Sequence, residues 1–584
     1  MTGKRSFRCQ VSLGGQLLAM LALAPIVVLP PHAIALPTGG QVVHGDVSII
    51  ATGGSMDITQ LGQAGIVNWA DFGIGAGEIV NIHQAADAAL LNRVLGANPS
   101  ELLGQLNASG RVFLINPNGV VVGAGASINA QEFMASALGV DDAEFIDFAN
   151  GDSARLRFEG TSTASVVNLG SITANDGDAI LIAYKVANEG QLTAANGVAG
   201  LAAGTKVWLA PQNAQHIIVE SDILADAADG TGVSNSGTIS AIQAELKAAG
   251  GNLYALAINQ TGFVHATGVA HRDGRVLLTS DEGTVTHAAG TISARNADGS
   301  GGEVLVGGDY RGLDPGRDDN GVNLSAVTTV AAGATIDVSA NVAGTDGGRA
   351  VVWANGDATF AGSITAEADG GGAGNGGTAI VAGGERLDFT GTFQVGSAGG
   401  EDGTILLALP SANINATGAN DTANFIFSNT ALSAMLGSAN VVVEALGDQE
   451  TMNVGNIRVD GDLAWDSGNQ LTLKSGNNVR VSADITAAAG AIEFQVMGVD
   501  TSSDRQSVYT SFGATITADR LTVGQNADSA FIGFNPPARA KPFHRSDRFP
   551  RAGQSRHFGY QDRERRHRVV RSVQGRNRRR DQPL

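Results

Sequence analysis

Cysteine, proline, aromatic residues and long apolar runs are all scarce in this chain: of 584 residues one is Cys, 14 are Pro and 5% are Phe, Trp or Tyr. A single Cys excludes a disulfide framework and any metal site built on paired thiolates. The one extended apolar run, residues 17–29, is interrupted by Pro25. It falls short of the roughly 20 residues that span a bilayer, so no transmembrane segment is expected. Lys4, Arg5 and Arg8 precede the run, and Ala33-Ile-Ala35 closes it with small residues. That layout predicts a signal peptide over residues 1–35, cut after Ala35, which carries Cys9 away and leaves an exported chain without cysteine. Gly is abundant, at 80 residues, but has no three-residue period, which excludes collagen, and a hydrophobic share of 43% excludes wholesale disorder.

The net charge of −19 is unevenly spread. Residues 536–584 hold 15 Lys and Arg against 4 Asp and Glu, leaving 22 against 52 in residues 1–535. An acidic body repels polyanions, so nucleic acid is not an expected partner. The tail is rich in Arg, lacks the pattern that precedes it and begins abruptly after Phe534-Asn-Pro536. Such a tail suits a nucleic-acid or membrane-surface arm, a disordered end or the product of a frame disruption, and the abrupt change favours the last.

What the chain does contain is a repeat. Gly, a small or polar residue, Ile or Leu, Thr or Ser, and Ala recur as Gly170-Ser-Ile-Thr-Ala174, Gly190-Gln-Leu-Thr-Ala194, Gly237-Thr-Ile-Ser-Ala241, Gly290-Thr-Ile-Ser-Ala294 and Gly362-Ser-Ile-Thr-Ala366. Looser copies begin at Gly262, Gly333, Gly391 and Gly513. From Gly170 to Gly391 successive copies stand 20, 47, 25, 28, 43, 29 and 29 residues apart, a unit of 20–29 with two steps of double length. A more apolar strand follows most copies, as in Ala179-Ile-Leu-Ile-Ala183 and Thr404-Ile-Leu-Leu407. Short alternating segments bounded by Gly and Asn are strands. A unit of two or three such strands buries its apolar face only by stacking on neighbours, and periods of 20–50 residues mark solenoids. The fold class is therefore all-β, a parallel β-helix. About 500 residues at this period give roughly 20–25 coils and a rod on the order of 100 Å. Residues 90–106 and 131–138 depart from the pattern and are expected as helical turns or loops.

Catalytic and metal motifs are scarce. There is no His-Glu-x-x-His, Gly-x-Ser-x-Gly, Walker-type loop or Cys pair. His32, His44, His83, His216, His265, His271 and His287 stand apart and are read as solvated or turn residues. Asp298-Gly-Ser-Gly-Gly302 and Asp369-Gly-Gly-Gly372 lack the nonapeptide spacing of calcium-binding rolls and are read as turns. Asp337, Glu367 and Asp388 are the carboxylates that a polysaccharide-cleaving β-helix would use. Their recurrence at repeat positions marks them as turn or solvent-face residues. The chain is expected not to be an enzyme and to need no cofactor or metal.

A set of ordered phrases occupies residues 37–138: Pro37-Thr-Gly-Gly-Gln41, Asp57-Ile-Thr-Gln60, Asn68-Trp-Ala-Asp-Phe-Gly-Ile-Gly-Ala-Gly-Glu78, Leu91-Asn-Arg-Val94, Gly104-Gln-Leu106, Val112-Phe-Leu-Ile-Asn-Pro-Asn-Gly-Val120 and Gly123-Ala-Gly-Ala-Ser-Ile128. In these phrases the chain closely resembles the amino-terminal secretion domain of the filamentous haemagglutinin family, the exoproteins of two-partner secretion. A looser likeness to large bacterial adhesins runs to about residue 410, as in Gly301-Gly-Glu-Val-Leu-Val-Gly-Gly-Asp309. The resemblance implies a right-handed parallel β-helix, export to the periplasm, and passage through an outer-membrane β-barrel transporter to the surface of a Gram-negative bacterium. On that basis residues 36–150 are a secretion domain and 151–535 a stalk presenting adhesive surfaces to a host-cell or bacterial receptor or glycan. The alternatives are the delivery stalk of a contact-dependent growth inhibition toxin and a polysaccharide-active enzyme. Asn116, Pro117, Asn118 and Gly119 match the family's secretion motif. The same residues suit an ordinary turn, with Pro at the second position, Asn at the third and Gly at the fourth. Asn68, Asn92 and Arg93 carry the same two readings.

Overall fold

The computed structural model describes residues 36–534, apart from 213–214, 221–229, 250–252, 271–272, 313–321, 417–425, 446, 448–454, 497–506, 512 and 526–530, together with residues 560–561 and 568–569. The signal peptide, with Ala33 and Ala35, and nearly all of the Arg-rich tail lie outside the described residues.

The chain winds into a parallel β-helix with three faces. A single coil shows the scheme: Gln105–Ala108 lies on the first face, Arg111–Ile115 on the second and Val120–Val122 on the third. Each strand pairs in parallel with its counterpart one coil on, for example Ser127–Ala130 with Ser171–Ala174. Alternation does the sorting: in Ser171–Ala174 the burial runs outward, inward, outward, inward, and Ile172 is fully buried. Inward residues stack into columns, of which Ile128, Ile172, Leu192, Ile239, Val264, Ile292, Ile336 and Ile364 form one. The repeat phrases are therefore the first-face strands, and the apolar strands that follow them, such as Ala179–Ala183, form the second face.

The repeat glycine sits at the corner before each first-face strand, where coils approach most closely. A Cβ on Gly237 would lie 2.1 Å from the carbonyl oxygen of Gly190, and one on Gly262 would lie 2.1 Å from that of Gly237. No side chain fits at these two corners, although the positions aligned with Gly170 and Gly290 on neighbouring coils are Ala126 and Ala334, and a Cβ on Gly333 would meet nothing.

Three expectations are corrected. The double-length steps are not two coils: Gln191 pairs directly with Thr238, and Gly290 with Ala334. The extra residues leave the helix as excursions between the second and third faces. Among the described residues the second face accordingly counts sixteen parallel strands, from Ala64–Trp69 to the end of Ile516–Gln525, not 20–25. At about 4.8 Å per coil the stack is roughly 70 Å long. Finally, residues 90–106 and 131–138 are not helical turns but strands of all three faces, Ala89–Val94, Ser100–Leu102 and Glu132–Ser136 among them.

The excursions cover the outer side of the second face. One carries the helix Asp142–Asn150, capped by Asp141, whose carboxylate accepts from the amides of Ala143 and Glu144, and closed by the left-handed Gly151. Its Phe145 meets outward-facing Phe113 edge-on at 5.2 Å. The strand Leu156–Glu159 then pairs antiparallel with Lys206–Gln212, which pairs with Gln215–Val219, making a three-stranded flap. A third excursion lays Tyr310, Val322 and Leu324 over a separate outer cluster of Leu277, Leu305, Val351, Trp353 and Ile380. Its Arg311 reaches Glu444 at 3.4 Å, and Glu444 also holds Lys474 at 2.9 Å.

At the start of the rod, Gln41–His44 and Val47–Thr52 pair antiparallel with the first strands of the second and first faces and close the end of the core.

Candidate functional site

The Asn116-Pro-Asn-Gly119 turn joins Arg111–Ile115 on the second face to Val120–Val122 on the third. The amide of Gly119 donates to the Asn116 carbonyl at 2.9 Å, closing the turn, and the Asn118 amide donates to the Asn116 Oδ1 at 2.9 Å. Gly119 has φ +105°, in the region that favours glycine, and a Cβ there would meet the Ser165 carbonyl at 2.8 Å.

This turn ties coils together in both directions. Asn116 is fully buried, and its Nδ2 donates to the Asn98 carbonyl at 2.9 Å and to the Ser100 hydroxyl at 3.0 Å, both one coil back. Asn118 Nδ2 donates to the Gly96 carbonyl at 2.8 Å. On the other side, Ser162 donates its hydroxyl to the Pro117 carbonyl at 2.6 Å. Asn98 continues the chain to Asp71 Oδ2 at 2.9 Å. The side chains of Asn116 and Asn118 are thus occupied within the fold.

The other family-matched residues lie on neighbouring strands. Asn92 is fully buried on the second face, accepts from Trp69 Nε1 at 3.1 Å and donates to the Phe113 carbonyl at 3.4 Å, linking three successive coils. Arg93 turns outward and donates to the Val140 carbonyl at 3.0 Å and to Asp142, pinning the start of the excursion helix. Asn68 pairs in register with Gln41 and with Arg93, and its Oδ1 is buried without a hydrogen-bond partner. Asn92 and Arg93 therefore share a strand but serve opposite sides of it, and neither contacts the Asn116 turn directly.

The carboxylates considered for catalysis do not converge. Asp337 ends a first-face strand and is held by Arg295 at 2.6 Å and by the Thr365 hydroxyl at 2.9 Å, whereas Asp388 lies on a third-face strand. Asp298 accepts from both the amide and hydroxyl of Ser300 within its own turn. Among the described residues no group of three His, Cys, Asp or Glu side chains is placed to hold a metal, and no helix is long and apolar enough to cross a membrane.

A buried polar column escaped the sequence reading. Asn168 donates to Asn188 at 2.8 Å, Asn188 to Asn235 at 2.7 Å and Asn235 to Gln260 at 2.8 Å, and His287 takes the next rung. All five are fully buried, so His287 is a core residue and not a solvated one. Burial holds its imidazole below the usual histidine range, against the opposing pull of the Thr335 and Gln260 carbonyls. The column was visible as a polar residue two places before the repeat glycine, at Asn168, Asn188, Asn235 and Gln260. His216 is likewise mostly covered, at the foot of the flap.

Fold and turn together define a β-helical rod whose first coils are cross-tied by asparagine side chains. Residues 33–294 match the family model described as the TPS secretion domain, which agrees with the resemblance of residues 37–138 to the secretion domain of two-partner secretion exoproteins. Its relatives include two proteins named heme/hemopexin-binding protein. One, from Haemophilus influenzae (strain ATCC 51907 / DSM 11121 / KW20 / Rd), is 31% identical over 256 residues, 42% of this chain and 27% of the relative. The other, from Haemophilus influenzae, is 37% identical over 102 residues, 17% of this chain and 11% of the relative. The chain thus aligns with about a quarter or less of either relative's length. A solved structure, the HMW1 secretion domain from Haemophilus influenzae, aligns with 64% of this chain and all of its own at 28% identity and a TM-score of 0.49.

Proposed function

We propose that this protein is exported through an outer-membrane β-barrel transporter and displays its rod outside a Gram-negative cell as an adhesive, non-catalytic stalk. The observation that carries the reading is the match of residues 33–294 to the secretion domain, and the parallel stacking of the second face, which continues beyond it, supports a stalk. Within this reading Asn116, Asn118 and Asn92 seed the first coils. Their side chains bond neighbouring coils, so a chain emerging amino-terminus first folds onto them one coil at a time, by local contacts. The absence of cysteine after residue 35 suits passage of an unfolded chain from an oxidising periplasm.

Binding of heme or hemopexin is the second reading, favoured by the names of both relatives. Two measurements test the proposal. Deleting residues 41–138 abolishes release when the chain is expressed with its transporter, and normal release of the deletion refutes export by this domain. Binding of the released protein to host cells and a glycan array supports adhesion, while binding to hemopexin alone replaces it with the second reading.

A further inference from the structure

The flap of Leu156–Glu159, Lys206–Gln212 and Gln215–Val219 is seated on the second face through its apolar inner side. Leu156, Phe158, Val207, Leu209, Ile217 and Val219 are all buried. Gly200 on the coil makes room for Ile217, whose Cδ1 lies 2.2 Å from where a Cβ would be.

Beside this apolar seat stands a set of charges. Glu245, fully buried, accepts from the backbone amides of His216 and Ile217 at 2.6 and 3.0 Å. Lys247 lies 3.1 Å from Glu245 and donates to the Ile217 carbonyl at 2.5 Å and to the Gln215 side chain. Side chains two apart on one coil strand thus satisfy the donors and acceptor of the flap's edge as a further strand would. His216 Nε2 meets Asp178 at 2.7 Å, and the other Asp178 oxygen takes the Val198 amide at 2.8 Å.

One member is out of place. Glu132 stands one coil from Asp178 on the same side of the second face, since Phe133 pairs with Ala179. Its Oε1 is buried without a hydrogen-bond partner. Two neighbouring carboxyls in a covered position, one with an orphan oxygen, are stable together only while a proton neutralises one of them. Arg111, next in the column on the far side, offsets this only in part, because its own guanidinium donates to the Asp87 and Ala149 carbonyls.

We propose that the flap is a proton-dependent latch, seated while the Glu132 and Asp178 pair holds a proton and His216 is charged, and released from the second face as pH rises and both protons leave. Both groups act in one direction. Burial, and then the Asp178 charge, push Glu132 up to about 8. A carboxyl raised in the folded state contributes seating that is complete below its ordinary range and is lost as pH climbs through the raised value. Burial opposes the charge on His216, but the Asp178 hydrogen bond and the nearby Asp178, Glu245 and Glu132 carboxylates outweigh it and raise the imidazole. Its contribution is complete below the ordinary histidine range and likewise lost as pH rises. Lys247, lowered by burial against Glu245 and beside Arg275, acts in the opposite sense and is common to every variant below. Lys206 and Glu220 pair with each other on the flap at 2.6 Å.

The test is amide hydrogen exchange on the full secreted protein at pH 6, 7.5 and 9, expressed as protection factors so that the intrinsic pH dependence cancels. Protection of Lys206–Gln212 and Gln215–Val219 is expected to fall at least about tenfold across this range, the factor carried by one pKa unit. Protection of Ala179–Ala183 on the coil should stay constant. Glu132→Gln keeps the shape without the titration and flattens most of the decline. An unchanged decline in that variant, or a parallel loss in Ala179–Ala183, overturns the proposal. Should Glu132→Gln not be secreted folded, His216→Gln decides: protection at pH 6 drops toward the value the unaltered protein shows at pH 9, and protection that stays high refutes the latch.

Discussion

Asn188 shows what a single residue contributes to this rod. It accepts from Asn168 and donates to Asn235, so truncating it strands one donor and one acceptor in a dry core. Each unsatisfied buried group costs about 1–3 kcal/mol, so Asn188→Ala is expected to destabilise by about 2–6 kcal/mol in chemical denaturation. Replacing Asn168, Asn188, Asn235 and Gln260 together by Leu removes every side-chain link of the column and leaves only the Gly170 amide without its acceptor, Asn168 Oδ1, so it should cost less than Asn188→Ala alone. The protein itself carries that experiment further along: the same column continues past His287 as Val330, Phe360 and Phe389, with no polar atom to satisfy. A quadruple variant less stable than the single one would show that the column matters for shape and not for hydrogen bonding.

At the scale of elements, most of the architecture was legible. The repeat phrases are first-face strands because the apolar residue at their centre, mostly Ile or Leu, points inward and Gly fits the crowded corner before most of them. Length was the misleading quantity. An excursion adds residues without adding a coil, so spacing alone doubled two steps that pairing shows to be single. The excursion helix also had its marks in the sequence, Asp141 before it, Asp142 and Glu144 in its first turn and Gly151 after it, but nine residues outside the repeat give too little periodicity to stand out. The links of Asn116 to Asn98 and of Arg93 to Asp142 join residues far apart in the chain, and no spacing rule predicts them. The helix is docked by Phe145 on Phe113, by Arg111 over Phe148 at 5.4 Å and by Arg93. Phe145→Ala removes a fully buried ring, worth about 3–5 kcal/mol. That loss is expected to free the excursion alone, with limited proteolysis cutting inside residues 137–164 while the coil and secretion persist. Cleavage throughout the rod would instead make the helix part of the core.

For the whole molecule, stability depends on pH in two opposite ways at two places along the stack. The flap loosens as pH rises, whereas the core column around His287 weakens as pH falls. His287 is held neutral by burial between the Gln260 and Thr335 carbonyls. A histidine whose pKa is depressed in the folded state contributes fully above its ordinary range near 6.5, and the contribution is lost as pH drops through the folded value, since the unfolded chain takes up the proton first. A stacked rod transmits such a loss only to its neighbours, because each coil touches the next and no further. Acid should therefore open the coils near residue 287 before those near residue 128. His287→Gln continues the amide column that precedes it and cannot charge. The denaturant midpoint of the unaltered protein is expected to fall more between pH 7.5 and pH 5 than that of His287→Gln, with the excess loss of exchange protection confined to the strands Leu256–Gln260, Thr284–Arg295 and Val327–Asp337. Equal falls in the two proteins would place the acid sensitivity outside the His287 column, and not in carboxylates such as Asp337, which Ser339, Thr365 and Arg295 hold below the usual range and which therefore titrate only at lower pH.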